Sequence, residues 1–286
     1  MKNQKKPIAY PTLFVIRETV RTTHFLPCLA VTAISGLMAY FSGVRNGLIF
    51  VVPAVLLGQF SVGWCNDYLD RHDDKISGRT EKPIVSGVVG AQTIMLLSIA
   101  ALIASLVLSY MYSAQAGLVH SIALTGAFLY NFKLKRTPFS IATYLLSFGL
   151  LPVFVAAGNP EYFVPAAWMI AASALLGAGV HFQNVLPDFK VDAIAGVKGF
   201  PHYFSYNHAL LLGSGFLAAS AACVTFGVWS RASTLSWIII GLFNLSFLGF
   251  VVAYYVKNIE IAYKLALQTS FICTLVMIAG ASYMRV

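Results

Sequence analysis

The chain has 286 residues, 58% of them hydrophobic and only 10% charged, with a net charge of +9 and a mean hydropathy of +0.77. Soluble domains usually carry about 25% charged residues, and a core surrounded by water cannot hide this much apolar surface. The natural solvent is lipid, which excludes a soluble enzyme. The basic excess reads as membrane orientation, with no nucleic acid among the expected partners.

The chain begins MKNQKKPIAYPTLFVIRETVRTTHF. This stretch is basic but leads into a full-length apolar span without a small-residue cleavage site, so no cleavable leader is expected. Nine spans of about 20 apolar residues follow, at 23–43, 47–66, 91–112, 114–131, 138–157, 162–187, 206–228, 234–256 and 261–283. Gly, Ala and Ser recur inside them, as close helix packing in lipid requires. The runs are long and continuous, unlike the short alternating strands of a barrel. Cys28, Cys65, Cys223 and Cys273 form no CxxC pair and read as small buried hydrophobes. The expected fold is an all-α integral membrane protein: about nine transmembrane helices around a central cavity, with aspartate-rich loops on the cytoplasmic side.

The basic residues set the orientation. Lys2, Lys5, Lys6, Arg17 and Arg21 precede span 1, and Arg71, Lys75, Arg79 and Lys82 follow span 2. Lys133, Lys135 and Arg136 follow span 4, Lys190 and Lys198 follow span 6, and Lys257 and Lys264 follow span 8. These make 16 of the 19; Arg45, Arg231 and Arg285 fall on the other side. The positive-inside rule then puts the N-terminus in the cytoplasm, and nine spans put the C-terminus outside a cell membrane.

Seven of the ten acids lie in two loops of that same side: Asp67, Asp70, Asp73, Asp74 and Glu81 after span 2, and Asp188 and Asp192 after span 6. The loops share a spacing, Asn66-x3-Asp70-x3-Asp74 and Asn184-x3-Asp188-x3-Asp192. A lysine and a proline follow each, Lys82-Pro83 and Lys198 with Pro201. Four spans separate the copies, so both return to one membrane face, and residues 1–286 read as a single domain of two parallel pseudo-repeats, with motifs at 66–87 and 184–201. On a helix, residues four apart share a face, so each motif would extend its span and aim an amide and two carboxylates inward. Like charges so gathered need a cation. Lysine is one answer; the better fit is Mg2+, which takes one or two carboxylates, keeps waters and completes its shell with phosphate oxygens. A diphosphate head at the interface leaves its tail among apolar spans, and aromatics make up 14% of the chain. That suggests an isoprenoid diphosphate, with charge on the departing diphosphate stabilised by the metal and basic side chains and an allylic cation shielded by aromatic faces.

With these motifs the chain resembles the UbiA superfamily of intramembrane prenyltransferases. NDxxDxxxD is matched by Asn66, Asp67, Asp70 and Asp74, and DxxxD by Asp188 and Asp192 with Asn184 a turn earlier. KPIVSG follows the first motif where the family commonly has Arg-Pro and then Gly, and YNFKLKRT after span 4 is also family-like. The resemblance implies Mg2+-binding roles for Asp67, Asp70, Asp74, Asp188 and Asp192, with Asp67, Asp70, Asp188 and Asp192 catalytic. Asn66, Lys82, Lys135, Arg136, Asn184 and Lys198 would bind the diphosphate, while Arg21, Tyr130 and His181 would line the acceptor side or cavity. His72, His202 and His208 are expected to be solvated. The partners implied are a prenyl diphosphate, an unidentified acceptor and membrane lipid; no obligate protein partner is evident. Two departures stand out. Lys82 replaces a planar guanidinium with a point charge, and RTTHFLP lacks the Arg-Pro pair common in members that prenylate aromatic acids. Phosphoribosyl transfer to a polyprenyl phosphate and prenyl cyclisation remain open within the superfamily. A cation transporter fits less well, because transporters usually keep their ionisable groups near the midplane.

Overall fold

The computed structural model describes residues 10–159, 163–194 and 196–285. Twelve α-helices in chain order account for its architecture: α1 Thr12–Arg21, α2 Phe25–Phe41, α3 Leu48–Ile76, α4 Ala91–Tyr112, α5 Ala114–Phe132, α6 Ser140–Gly149, α7 Leu151–Ala157, α8 Ala167–Val185, α9 Phe189–Ile194, α10 Tyr206–Val228, α11 Thr234–Tyr255 and α12 Ile259–Ala281. Among the described residues the only β feature is the isolated bridge between Pro165 and Arg285. Long apolar runs become helices because lipid offers backbone groups no other partner.

Seven helical segments among the described residues are long and apolar enough to cross a membrane, and eight if α1 and α2 form one broken span. The expectation of about nine is therefore approximate. The difference lies mainly in α5, a 19-residue helix that carries Gln115, His120 and Asn131. One expected span is also interrupted, and an unexpected helix precedes another. Span 138–157 is broken between α6 and α7, where Pro152 supplies no backbone N–H to continue the ladder. Before span 1 lies the unexpected α1, bent by 64° from α2; Arg17, Glu18 and Arg21 make it too polar to register as apolar. Lys2, Lys5 and Lys6 lie outside the described residues.

The helices pack as neighbours α3 with α4, α8 with α10, α11 with α12, and α6 with α8. Helix α8 is central: 67% of its apolar window is buried, against 28% in α4 and α11. It approaches α10 through facing glycines. A Cβ on Gly179 would come 2.6 Å from Leu217, and one on Gly213 would come 2.7 Å from Phe182, so only glycine permits this spacing. The main apolar core runs through α2, α3, α7, α8, α10 and α12, from Met38 and Val51 to Phe154, Met169, Leu217 and Met277. A smaller one joins Val15 of α1 to Trp64, Ile94 and Ala101.

Candidate active site

Helix α3 runs unbroken from the apolar core through the whole first motif and ends at Ile76, as its spacing predicts. It stops in a Schellman turn. Gly78 has φ +72, its N–H donates to Lys75 O at 3.2 Å, and the Arg79 N–H donates to Asp74 O at 2.9 Å. The turn folds Arg79 back over the motif. The second motif ends similarly: Gly196 has φ +72, and the Val197 N–H donates to Asp192 O at 2.8 Å. The repeated spacing thus extends one step further, to Gly78 and Gly196. Upstream the motifs differ. Helix α8 yields to a 3-10 turn at Leu186–Asp188 before α9, because Pro187 lacks an N–H and crowds the preceding turn.

The carboxylates are neutralised by basic side chains. Lys82 Nζ sits 2.9 Å from Asp67 Oδ1 and 2.8 Å from Asp74 Oδ2. Lys135 pairs with Asp70 and Arg136 with Asp73. Arg79 reaches both motifs, 3.5 Å from Asp74 Oδ1 and 3.0 Å from Asp188 Oδ2. The loops after α3, α5 and α8 therefore meet at one end of the bundle. The Arg79 guanidinium loses solvation by burial, yet its bond to Asp188 and the surrounding acids raise its pKa. Burial opposes the charge on Lys82 as well, and Asp67 and Asp74 outweigh it, again raising the pKa. Burial and then the Asp188 charge push Asp192 up to about 6. Asp67 and Asp74 are buried, at 4% and 5% exposure.

Below this polar layer lies an aromatic box. Tyr144 stacks on His181 with centroids 4.5 Å apart, and Tyr130 meets both edge-on at 5.2 and 5.7 Å. His181 is fully buried. Its Nε2 shares a 3.0 Å hydrogen bond with Ser140 Oγ, which also accepts the Phe200 N–H at 2.7 Å. His181 Nδ1 has no partner among the described residues. Asn131 donates to Val62 O at 2.9 Å, tying α5 to the motif helix.

Other expected residues are placed differently. Lys198 is exposed and makes no ion pair among the described residues. Asn66 is half-buried and Asn184 exposed, one turn before their aspartates. Arg21 pairs with Glu18 at 2.9 Å and donates to the Glu81 carbonyl, bracing the first-motif loop. His202 is not solvated: its side chain is 5% exposed and stacks on Phe189 at 4.8 Å, because the loop after α9 folds back onto that ring. Burial lowers its pKa, so its 3.7 Å approach to Asp192 is not an ion pair at neutral pH. Sequence reasoning missed four residues, Tyr144 of the aromatic box among them. Arg79 counted only as loop charge, although Gly78 before it signals the turn. Ser140 carried no signal. His24 holds a left-handed φ of 57 at the α1–α2 elbow and places Nε2 3.3 Å from Asp67 Oδ1. Thr23 beside it packs so closely on α3 that a Cβ on Gly63 would lie 2.3 Å from the Thr23 carbonyl oxygen.

The donor set suits a hard divalent cation, being made of carboxylate and amide oxygens without thiolate. Among the described residues no three His, Cys, Asp or Glu side chains converge as a ready cage; the basic side chains stand between the carboxylates. Asp67, Asp70, Asp74, Asp188 and Asp192 fit Mg2+ by chemistry and by sharing one end of the bundle.

Comparison with known proteins bears on the fold and the family. A digeranylgeranylglyceryl phosphate synthase of Archaeoglobus fulgidus is 26% identical over 184 residues, 62% of this chain and 61% of that one. A second, from Thermococcus kodakarensis, matches over 60% of its length, so the chain spans about three fifths of these relatives. A 4-hydroxybenzoate octaprenyltransferase of Vibrio cholerae is 24% identical over 235 residues, 82% of this chain and 70% of that one. Among solved structures, a UbiA homologue of Aeropyrum pernix has a TM-score of 0.71 at 18% identity, covering 88% of this chain and 96% of its own. One from Archaeoglobus fulgidus bound to GPP and Mg2+ has a TM-score of 0.69 at 15% identity, covering 93% and 99%. These two agree in fold. The model of the UbiA prenyltransferase family matches residues 26–279, and the chain belongs to that family.

Proposed function

We propose that this chain is a Mg2+-dependent prenyltransferase that moves an isoprenoid chain from a prenyl diphosphate to an acceptor, with loss of diphosphate, at the cytoplasmic face of a cell membrane. The observation that carries the reading is Arg79, one guanidinium in contact with Asp74 of the first motif and Asp188 of the second. The two motifs are close enough for one small ionic group to touch both. The relatives' names point the same way: a digeranylgeranylglyceryl phosphate synthase and a 4-hydroxybenzoate octaprenyltransferase.

Asp67, Asp70, Asp74, Asp188 and Asp192 hold Mg2+, directly or through water, with Asn66 and Asn184 orienting the polar head. When bound, the metal supplies Lewis-acid stabilisation of charge on the departing diphosphate. Lys82, Lys135 and Arg79 donate to phosphate oxygens as the carbon–oxygen bond breaks, and that charge develops where the donors already stand. Arg136 and Lys198 are outer clamps. Tyr130, Tyr144 and His181 line the apolar side, where their faces stabilise an allylic cation and exclude water. Arg21 and His24 border the acceptor side. The basic loops at the motif end support a cytoplasmic N-terminus, and the C-terminus falls outside when α5 is counted as the ninth span. The shared close of the two motifs at Gly78 and Gly196 supports a single domain of two pseudo-repeats.

The test is diphosphate release from radiolabelled prenyl diphosphates of several lengths, using the full chain in detergent with Mg2+ or EDTA. Release that needs Mg2+ and fails in Asp70→Asn and Asp188→Asn is expected. Release that persists in EDTA would contradict the mechanism.

A further inference from the structure

Helix α11 carries no charged residue from Thr234 to Tyr255, and two polar side chains, Asn244 and Ser246, lie near its middle. Ser246 is buried and shares a 3.0 Å hydrogen bond with Thr269 of α12. Asn244 is exposed, because two residues turn the helix by about 200° and carry it to the opposite side. It sits midway along α11, with about 15 Å of helix to either end, which is close to the bilayer midplane. Its Nδ2 donates to the Ile240 carbonyl at 3.0 Å, an oxygen of its own helix. The second N–H and Oδ1 have no partner among the described residues. Hydrocarbon offers them none, and a polar group left bare there is strongly disfavoured.

The surroundings of Asn244 are apolar. Ile238, Leu242, Leu245, Leu248 and Val252 are each more than half exposed. Between α10 and α11 runs a groove of about 430 Å3, with Ala218, Ala221 and Ala222 on one wall and Asn244 on the other. Phe226 stands beside it, 82% exposed.

We infer that two copies of this chain associate side by side on the α10–α11 face, about a two-fold axis along the membrane normal, with their Asn244 amides bonded to each other. An axis in that direction gives both copies the same orientation, so residues of equal depth meet. A midplane residue near the axis then faces its own counterpart. An amide suits that meeting because it both donates and accepts; two ammonium groups or two carboxylates would repel. Each Asn244 gains the partners that its own helix withholds, and interhelical bonds of this kind hold membrane helices together. The apolar surface is self-complementary as well. Phe226 protrudes, the alanine wall is recessed, and a two-fold axis lets each copy seat the other's protrusion. A lipid or isoprenoid chain would fill the groove but leave the amide unpaired.

Disulfide trapping of the full chain in liposomes tests the inference. Leu245→Cys places a thiol next to Asn244 on the exposed face. The native cysteines provide the background, Cys28, Cys65 and Cys273 being buried and Cys223 half-buried. Oxidation of Leu245→Cys should give a species of twice the 31.0 kDa chain mass. Ile103→Cys, exposed on α4, should give none at the same protein-to-lipid ratio. Adding Asn244→Leu should reduce the cross-linked fraction about fivefold, and Asn244→Gln, which keeps an amide, should restore most of it. Leu248→Cys reports on the same face should the first variant fail to fold. Diphosphate release should be unchanged in Asn244→Leu, because Asn244 lies outside the candidate active site. Cross-linking no greater than in Ile103→Cys overturns the inference, and so does cross-linking indifferent to Asn244→Leu. Monomers that retain a co-purified lipid in native mass spectrometry assign the groove to lipid and overturn it too. None of these outcomes bears on prenyl transfer, which the Mg2+-dependent release of diphosphate tests separately.

Discussion

Arg79 holds Asp188 at 3.0 Å from the opposite motif while its other nitrogen stands 3.5 Å from Asp74 of its own. A planar fork can serve two carboxylates in this way; an ammonium on a flexible stem offers a single point of charge. The side chain is mostly buried, and its contact with buried Asp74 is the less screened of the two, since Asp188 is half-exposed.

Arg79→Lys is therefore expected to keep the charge and lose the bridge. Charge-assisted hydrogen bonds typically contribute about 1.5–3 kcal/mol, so kcat/KM for the prenyl diphosphate should fall roughly 10- to 100-fold, and Arg79→Met should fall at least as far. Steady-state diphosphate release measures it. Unchanged kinetics in the lysine variant would mean that Arg79 belongs to the loop surface only.

The aim of Arg79 depends on Gly78, whose φ of +72 most residues with a Cβ adopt only at a cost. A Cβ at Gly78 meets nothing within 4 Å, so Gly78→Ala isolates the backbone effect, about 1 kcal/mol of lost stability. Gly78→Asn should cost less, since asparagine tolerates the left-handed region. Gly196→Ala should behave like Gly78→Ala. Gly215→Ala is the control: it is helical with open space around it and should be neutral or slightly stabilising. Thermal unfolding in one detergent orders the four.

Much of this was legible in the sequence, and the parts that were not share a cause. Spans and motifs announce themselves through composition and spacing, because hydropathy and helical period are local properties. The α3 extension through Asp74 followed from the four-residue spacing alone. Pro187 sits in plain view but only the fold reveals that the chain continues as a 3-10 turn and then α9. Helix α1 was hidden because its charges suppress hydropathy, although it packs Val15 against Trp64. Arg79, His24, Ser140 and Tyr144 were missed because their roles come from partners in distant segments. One serine or histidine has no period. His202 was misread as solvated because burial of a loop residue depends on how the loop folds back.

The α1–α2 elbow offers a test of distance effects. Gly63 lies on α3, and an added Cβ would press on the Thr23 carbonyl, a backbone atom that cannot swing aside. Gly63→Ala should push the elbow away and carry His24 off Asp67, whose present separation from the ring is 3.3 Å. Trp64 would lose its 2.9 Å bond to Thr19 O in the same movement. Overpacking of this kind costs about 1–3 kcal/mol. Thermal unfolding and the Trp64 fluorescence should both shift; a variant with wild-type melting and emission would show that the elbow gives way freely.

Ser140 joins three segments that the site needs in register. Its hydroxyl accepts the Phe200 N–H from the loop after α9, shares a hydrogen bond with His181 on α8, and sits at the start of α6 just beyond Lys135 and Arg136. Ser140→Ala removes little volume but orphans a backbone N–H and a second nitrogen of an imidazole whose Nδ1 already has no partner among the described residues. Leaving buried polar groups unsatisfied costs about 1–3 kcal/mol, so the melting temperature should fall. A purely structural role would stop there. If Ser140 also sets the His181 ring in the aromatic box, Ser140→Ala should lower kcat while leaving near wild type the affinity for geranyl S-thiolodiphosphate, an analogue whose carbon–sulfur bond resists ionisation, because that analogue is gripped at the carboxylate end. His181→Phe keeps an aromatic face against Tyr130 and Tyr144 and removes both nitrogens. It should match Ser140→Ala in kcat if the nitrogens matter, and exceed it if the box acts by shape and π-face alone. Parallel measurement of kcat and analogue binding in the two variants separates these outcomes.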